Sequence, residues 1–203
     1  AIEAAYAAGL AGDTGYPPIP GQKALIDAII HKFKRDNDLT VTSDRIMVAN
    51  GGKQVIYNAF AATLDDGDEV IVPAPYWVSY PLIARMLGGK AVEIPCPEEN
   101  GFRPDAATIK AAITPKTRWL VLNFPNNPTG AILVRHDLEA IADVLREAPH
   151  VLVMSDEIYE HLTFDGRRHL SILQVAPDLA DRILVINGMA KAYAMTGWRV
   201  GFA

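Results

Sequence analysis

Cysteine is nearly absent from this 203-residue chain: with Cys96 alone, no disulfide can form within it and no cysteine-based zinc site can be built. That scarcity suits a reducing compartment, and the cytoplasm is the expected location. Long hydrophobic runs are missing as well. No apolar stretch approaches the roughly 18 residues needed to cross a bilayer, and the opening AIEAAYAAGLAGD has no basic flank before its apolar residues, so neither membrane anchor nor secretory leader is expected. Basic clusters are lacking too. The 19 Lys and Arg against 24 Asp and Glu leave a formal charge of −5, and the cations are scattered, which argues against a nucleic-acid partner. No repeat, low-complexity tract or internal linker interrupts the chain. What is present, 50% hydrophobic and 21% charged residues, suffices for a sizeable core in one globular unit handling small metabolites. The chain opens on Ala1 and stops within what reads as a strand at Gly201-Phe202-Ala203, which suggests a fragment.

After the turn-rich GDTGYPPIPG, residues 21–35 place Leu25, Ile26, Ile29, Ile30 and Phe33 at helical spacing, the pattern of an amphipathic helix. Apolar strands then alternate with helices. The strands are RIMVAN, EVIVP, AVEIP, RWLVLNF, VLVMS and RILVIN; the helices are KQVIYNAFAATL, VSYPLIARMLG, a segment from about Asp105 to Ile113, and DLEAIADVLREA. Near-continuous apolar strands separated by helices predict an α/β fold, a three-layer α-β-α sandwich around a mostly parallel sheet. In such sheets ligands bind beyond the carboxyl ends of the strands, so the strand-end loops are where chemistry is sought.

Those loops carry unusual residues. Gly51-Gly52-Lys53 follows RIMVAN and leads into a helix, offering backbone N–H groups and a helix N-terminus to an anion. It is not a nucleotide P-loop, because Met47 stands where the first glycine should be and Gln54 replaces the magnesium-binding Ser or Thr. Trp77 follows EVIVP in PAPYW and could stack on a planar ring. Asn126-Asn127-Pro128-Thr129-Gly130 follows RWLVLNF, and Asp156-Glu157-Ile158-Tyr159 follows VLVMS. Lys191 lies just past RILVIN, with Arg199 eight residues on. Singly, each has a structural explanation: a turn, a cap, a core indole, a surface lysine.

Together, in order and spacing, TGYPPIPG, ANGGKQVIYNAF, PAPYWVSYP, NFPNNPTG, SDEIYE and NGMAKAYAMTGWRVGFA resemble the aspartate aminotransferase-like bacterial subgroup of class I/II aminotransferases, with the type I pyridoxal-phosphate fold. The resemblance covers nearly the whole chain. It implies pyridoxal 5'-phosphate as cofactor, held by Lys191 as a Schiff base, with Lys191 later moving the substrate proton. Asp156 would pair with the pyridine nitrogen, Tyr159 and Asn127 would hydrogen-bond the ring 3-oxygen, and Trp77 would lie on the ring face. Phosphate would be held by the backbone of Gly52 and Lys53, by Arg199, and by Tyr16 supplied across a two-fold dimer. Lys53, Trp77 and Asn127 would also meet the substrate.

The implied activity is ping-pong transamination from an amino acid, aspartate first, to 2-oxoglutarate in amino-acid metabolism. A lyase or synthase of the same fold, an aromatic or prephenate aminotransferase, and the cofactor-binding effector domain of a regulator are the alternatives. Residues 1–20 are expected to form an N-terminal segment with a dimer-contact loop, and residues 21–203 an incomplete cofactor-binding large domain whose small C-terminal partner domain is absent. Such a piece alone is expected to be inactive. One departure from many relatives is Gly188, where a phosphate-binding serine would stand three residues before the lysine.

Overall fold

The structure, a computed structural model, describes all 203 residues. Seven strands form one sheet: β1 (Val48–Ala49), β2 (Glu69–Ala74), β3 (Lys90–Pro95), β4 (Thr117–Asn123), β5 (Leu152–Asp156), β6 (Ile183–Gly188) and β7 (Gly201–Phe202), in the order β1-β7-β6-β5-β4-β2-β3. From β3 through β6 all neighbours are parallel; β7 runs antiparallel to β6 and to β1. The helices are α1 (Ile2–Leu10), α2 (Lys23–Asn37), α3 (Gly52–Thr63), α4 (Ser79–Met86), α5 (Ala106–Ala112), α6 (Arg135–Glu147) and α7 (Ile172–Val175).

Alternate side chains along each strand enter different layers, as a period of two requires. Val70, Val72, Trp119, Val121, Met154 and Ile186 pack with Val55, Ile56 and Phe60 of α3 and Tyr80 and Ile83 of α4. Their neighbours Ile71, Leu120, Leu122 and Val153 pack on the opposite face with Ile109 of α5 and Leu138, Ile141 and Leu145 of α6. On that second face α2 seats Ile26, Ile29 and Phe33 against Val185 and Phe202. The expected three layers are present.

Connection handedness accounts for which helix takes which face. The chain steps one way from β2 to β3 and the other way from β3 to β4 and on to β5. Right-handed crossovers therefore put α4 on one face and α5 and α6 on the other. The reversal also makes a switch point at β2 and β4, where loops diverge and leave a crevice at the carboxyl ends of the strands.

One expectation needs correction. RIMVAN forms only a two-residue strand, because its ladder partner is the equally short β7 rather than a long parallel neighbour. Within residues 1–20, α1 occupies Ile2–Leu10, an alanine-rich stretch of high helix propensity with no buried residue.

Candidate active site

Five elements deliver side chains to one cavity of about 280 Å³ at the carboxyl edge of the sheet. It is lined by Gly52 and Lys53 at the start of α3, Trp77 before α4, Asn127 after β4, Asp156 at the end of β5 with Tyr159 beyond it, and Lys191 and Arg199 after β6. Every residue to which the resemblance assigns a cofactor or substrate role is there except Tyr16, which is fully exposed in the loop after α1 and does not line the cavity.

Asp156 is the most constrained of these groups. It is 5% exposed, and burial pushes its carboxyl up to about 6, against a partial offset from its hydrogen bonds. The Tyr80 hydroxyl donates to Oδ2 at 2.6 Å and the Ile158 N–H donates to Oδ1 at 3.3 Å. Neighbouring Glu157 raises the carboxyl further and Lys191 lowers it. Tyr80 is itself buried, and burial followed by the Asp156 charge raises its phenol well above the usual value. Behind Asp156, Asn123 Nδ2 donates to the Asp156 carbonyl at 3.1 Å while its Oδ1 accepts from the Asn127 N–H at 3.1 Å. One asparagine thus links the β4 loop to the end of β5.

The opposite end of the cavity is built for an anion. Helix α3 begins at Gly52, so the first N–H groups of a twelve-residue helix face the cavity with no cap side chain on them. Arg199 lies over that loop, its two terminal nitrogens donating to the carbonyls of Thr196 at 2.9 Å and Asn50 at 3.2 Å. These bonds fix the guanidinium plane and leave other donors of its fork for a ligand. Close packing explains the glycines here: a Cβ on Gly51, whose φ is +93°, would fall 2.3 Å from the Arg199 guanidinium, and one on Gly201 would fall 2.3 Å from the backbone of Gly51 and Gly52. At Gly188 a Cβ would sit 2.7 Å from the Val200 carbonyl oxygen, so a serine does not fit this β6–β7 pairing.

Between the two ends, the Lys191 ammonium stands 5.8 Å from the Tyr159 ring centroid and the Lys53 ammonium 4.7 Å from that of Trp77. Trp77 in turn meets Tyr80 edge-on, with centroids 5.4 Å apart. Three cations, Lys53, Lys191 and Arg199, face one carboxylate, Asp156, across the cavity. Its field favours a ligand of net negative charge that carries a cationic or protonated group near Asp156.

Tyr80, Asn123 and Thr196 line the cavity without having been singled out in the sequence. Tyr80 had a signal, since it lies three residues after Trp77, close enough in the chain to share its side of the site. Asn123 closes an otherwise apolar strand; that polar residue before NNPTG was the available cue. Thr196 gave none.

A cavity at the carboxyl ends of the strands of a doubly covered, mostly parallel sheet is where α/β enzymes bind their ligands. The chain belongs to the aminotransferase class I and II family, whose sequence description matches residues 2–203. It is 52% identical over 200 residues to the "Probable aspartate/prephenate aminotransferase" of Rickettsia felis, covering 98% of this chain and 49% of that protein. Among solved structures it superposes on the aspartate aminotransferase of Rhizobium meliloti with a TM-score of 0.97 at 47% identity, covering 99% of this chain and 50% of the other. The Thermus thermophilus aspartate aminotransferase with maleate gives 0.93 at 49%, covering 98% and 51%. The chain thus spans about half the length of the relatives it matches.

Proposed function

We propose that this chain carries the cofactor site of a pyridoxal-phosphate-dependent aminotransferase that moves an amino group from aspartate to 2-oxoglutarate. The observation that carries this reading is the convergence of Asp156, Lys191, Tyr159, Asn127 and Arg199 on one cavity whose charge distribution suits the cofactor. When bound, pyridoxal phosphate supplies an electron sink for the bonds at the substrate α-carbon.

The residues divide the work. The N-terminus of α3 and Arg199 bind the phosphate, and Lys191 bears the cofactor and moves the proton at the substrate α-carbon. Asp156, buried and bonded to Tyr80, stabilises a proton on the ring nitrogen; a pyridinium at Asp156 offsets the burial that now raises the carboxyl. With pyridoxal phosphate bound, Tyr159 and Asn127 would hold the ring 3-oxygen, and Trp77 would lie against the ring. Lys53, held over Trp77, offers its ammonium to the second carboxylate of an acidic substrate. The maleate in the Thermus structure, a dicarboxylate, and the aspartate names of the relatives support that choice.

Prephenate is a second acceptor class, favoured by the aspartate/prephenate name of the Rickettsia felis relative. We assign residues 21–203 to the cofactor-binding domain and residues 1–20 to a dimer contact through which Tyr16 reaches the neighbouring subunit's phosphate. Isotope transfer tests the function: the full natural polypeptide, given [15N]aspartate and 2-oxoglutarate, yields [15N]glutamate and oxaloacetate. Fumarate with free ammonium would instead identify a lyase.

A further inference from the structure

The strand-end segment that supplies Asp156 and Tyr159 to the cavity sends two other side chains the opposite way. Glu157 and Glu160 are both buried, and neither lines the cavity. Glu157 is held by the Ser155 and Ser171 hydroxyls at 2.8 and 2.7 Å, with His169 Nε2 3.0 Å from its second oxygen, although neither of those two atoms has an aligned hydrogen bond. Glu160 joins parts of the chain that are distant in sequence. Its Oε1 accepts from Asn187 Nδ2 at 2.7 Å and pairs with the Lys32 ammonium, and its Oε2 accepts from Asn37 Nδ2 at 2.9 Å. Lys32 closes the cluster by donating to Asn37 Oδ1 at 2.8 Å.

The position of this cluster gives it a consequence in the cavity. Tyr159 is bonded in sequence to Glu160, and Asn187 precedes by four residues the lysine that stands over the Tyr159 ring. Asn187 Oδ1 also accepts the N–H of Gly188, fixing the backbone where β6 gives way to the Lys191 turn. A buried ionic carboxylate therefore clamps the Tyr159 turn, the end of β6 and helix α2 at one point. Three donors, two from α2 and one from the end of β6, thus converge on Glu160.

We propose that Glu160 is a positioning residue, setting the relative placement of Tyr159 and Lys191 by tying their two loops together against α2. The proposal rests on the reading that these two residues serve the cofactor. Besides Lys32, the charged or titratable groups around Glu160 include His161 at 3.4 Å, Asp36 behind His161 with its partner Arg35, and the Glu157–His169 pair.

Removing one member of a buried ion pair leaves a charge without compensation, whereas removing both is often tolerated. The test accordingly compares Glu160→Gln with the double variant Lys32→Met/Glu160→Gln in the full natural polypeptide loaded with pyridoxal phosphate. The double variant is expected to recover most of the thermal stability lost by Glu160→Gln. Both variants are expected to show a displaced midpoint in the pH-dependent visible absorbance of the bound cofactor, and a kcat lowered by about tenfold with KM for aspartate changed less than about twofold. A double variant of native stability with the native absorbance midpoint and native kcat overturns the proposal. A parent protein that takes up no pyridoxal phosphate sinks the functional reading itself, and this inference with it.

Discussion

Burial at the end of β5 holds the Asp156 carboxyl at about 6, and the sign of that shift makes the residue a stability cost in the absence of a cationic partner. Below about pH 4 the carboxyl is protonated in both folded and unfolded chains and the cost vanishes. As pH rises through about 6 the folded protein must ionise a desolvated group, and the full cost, on the order of 3 kcal/mol for a shift of this size, is then present. Asp156→Asn should consequently raise the stability of the cofactor-free protein at pH 8 by about 2 kcal/mol, with the gain fading as pH falls towards 4; urea titrations across that range measure it. A gain independent of pH would refute the account of Asp156. In the loaded enzyme the same substitution should lower turnover by about a hundredfold or more while cofactor stays bound through its phosphate. Tyr80→Phe removes a bond that favours the ionised carboxyl, so the stability transition assigned to Asp156 should move above its present midpoint; no movement would show that the 2.6 Å contact does not persist in solution. Lys53→Ala should reduce kcat/KM for aspartate by about tenfold and leave neutral amino acids nearly unchanged, while equal losses on both would deny Lys53 a part in selecting acidic substrates.

The elements differ in how openly the sequence declares them. Strands β2, β4, β5 and β6 were legible because they lie inside the sheet, largely buried on both faces, and read as near-continuous apolar runs; edge strand β3, with Lys90, Glu93 and Pro95 exposed, shows a weaker pattern, and α2 and α6 were legible because their apolar residues recur at helical spacing. Strands β1 and β7 owe their short ladder to each other across more than 150 residues, a relation no local pattern encodes. The cavity-lining residues at strand ends were legible as a set. The support behind them was not: the partner of Tyr80 is 76 residues away and that of Asn123 is 33, so their roles emerge only when α4, β4 and β5 are brought together. The glycine contact between β7 and the start of α3 also belongs at this scale. Gly201→Ala would drive a methyl into the Gly51–Gly52 backbone and should cost about 1–3 kcal/mol of stability together with a clear loss of affinity for phosphate; full affinity retained would show that β7 leaves room for a side chain beside the start of α3.

Over the whole molecule the apolar surface is unevenly spread. Helix α1 and the loop after it leave Ile2, Tyr6, Leu10, Tyr16 and Ile19 exposed, a concentration that a chain working alone would not gain by keeping in water. On the proposed assignment this segment docks on a second copy of the chain and brings Tyr16 to its phosphate. Deleting residues 1–20 from the full natural polypeptide should then convert a dimer to a monomer in sedimentation velocity and weaken cofactor retention, whereas an unchanged sedimentation coefficient per subunit count would remove the segment from the interface. All of this rests on one claim, that the cavity at the sheet edge is a pyridoxal-phosphate site centred on Lys191. Borohydride reduction of the cofactor-loaded polypeptide followed by peptide mapping tests it directly: the pyridoxyl group is expected on Lys191, in the peptide that follows β6. Stable labelling of Lys53 or any other lysine, with Lys191 unmodified, would contradict it.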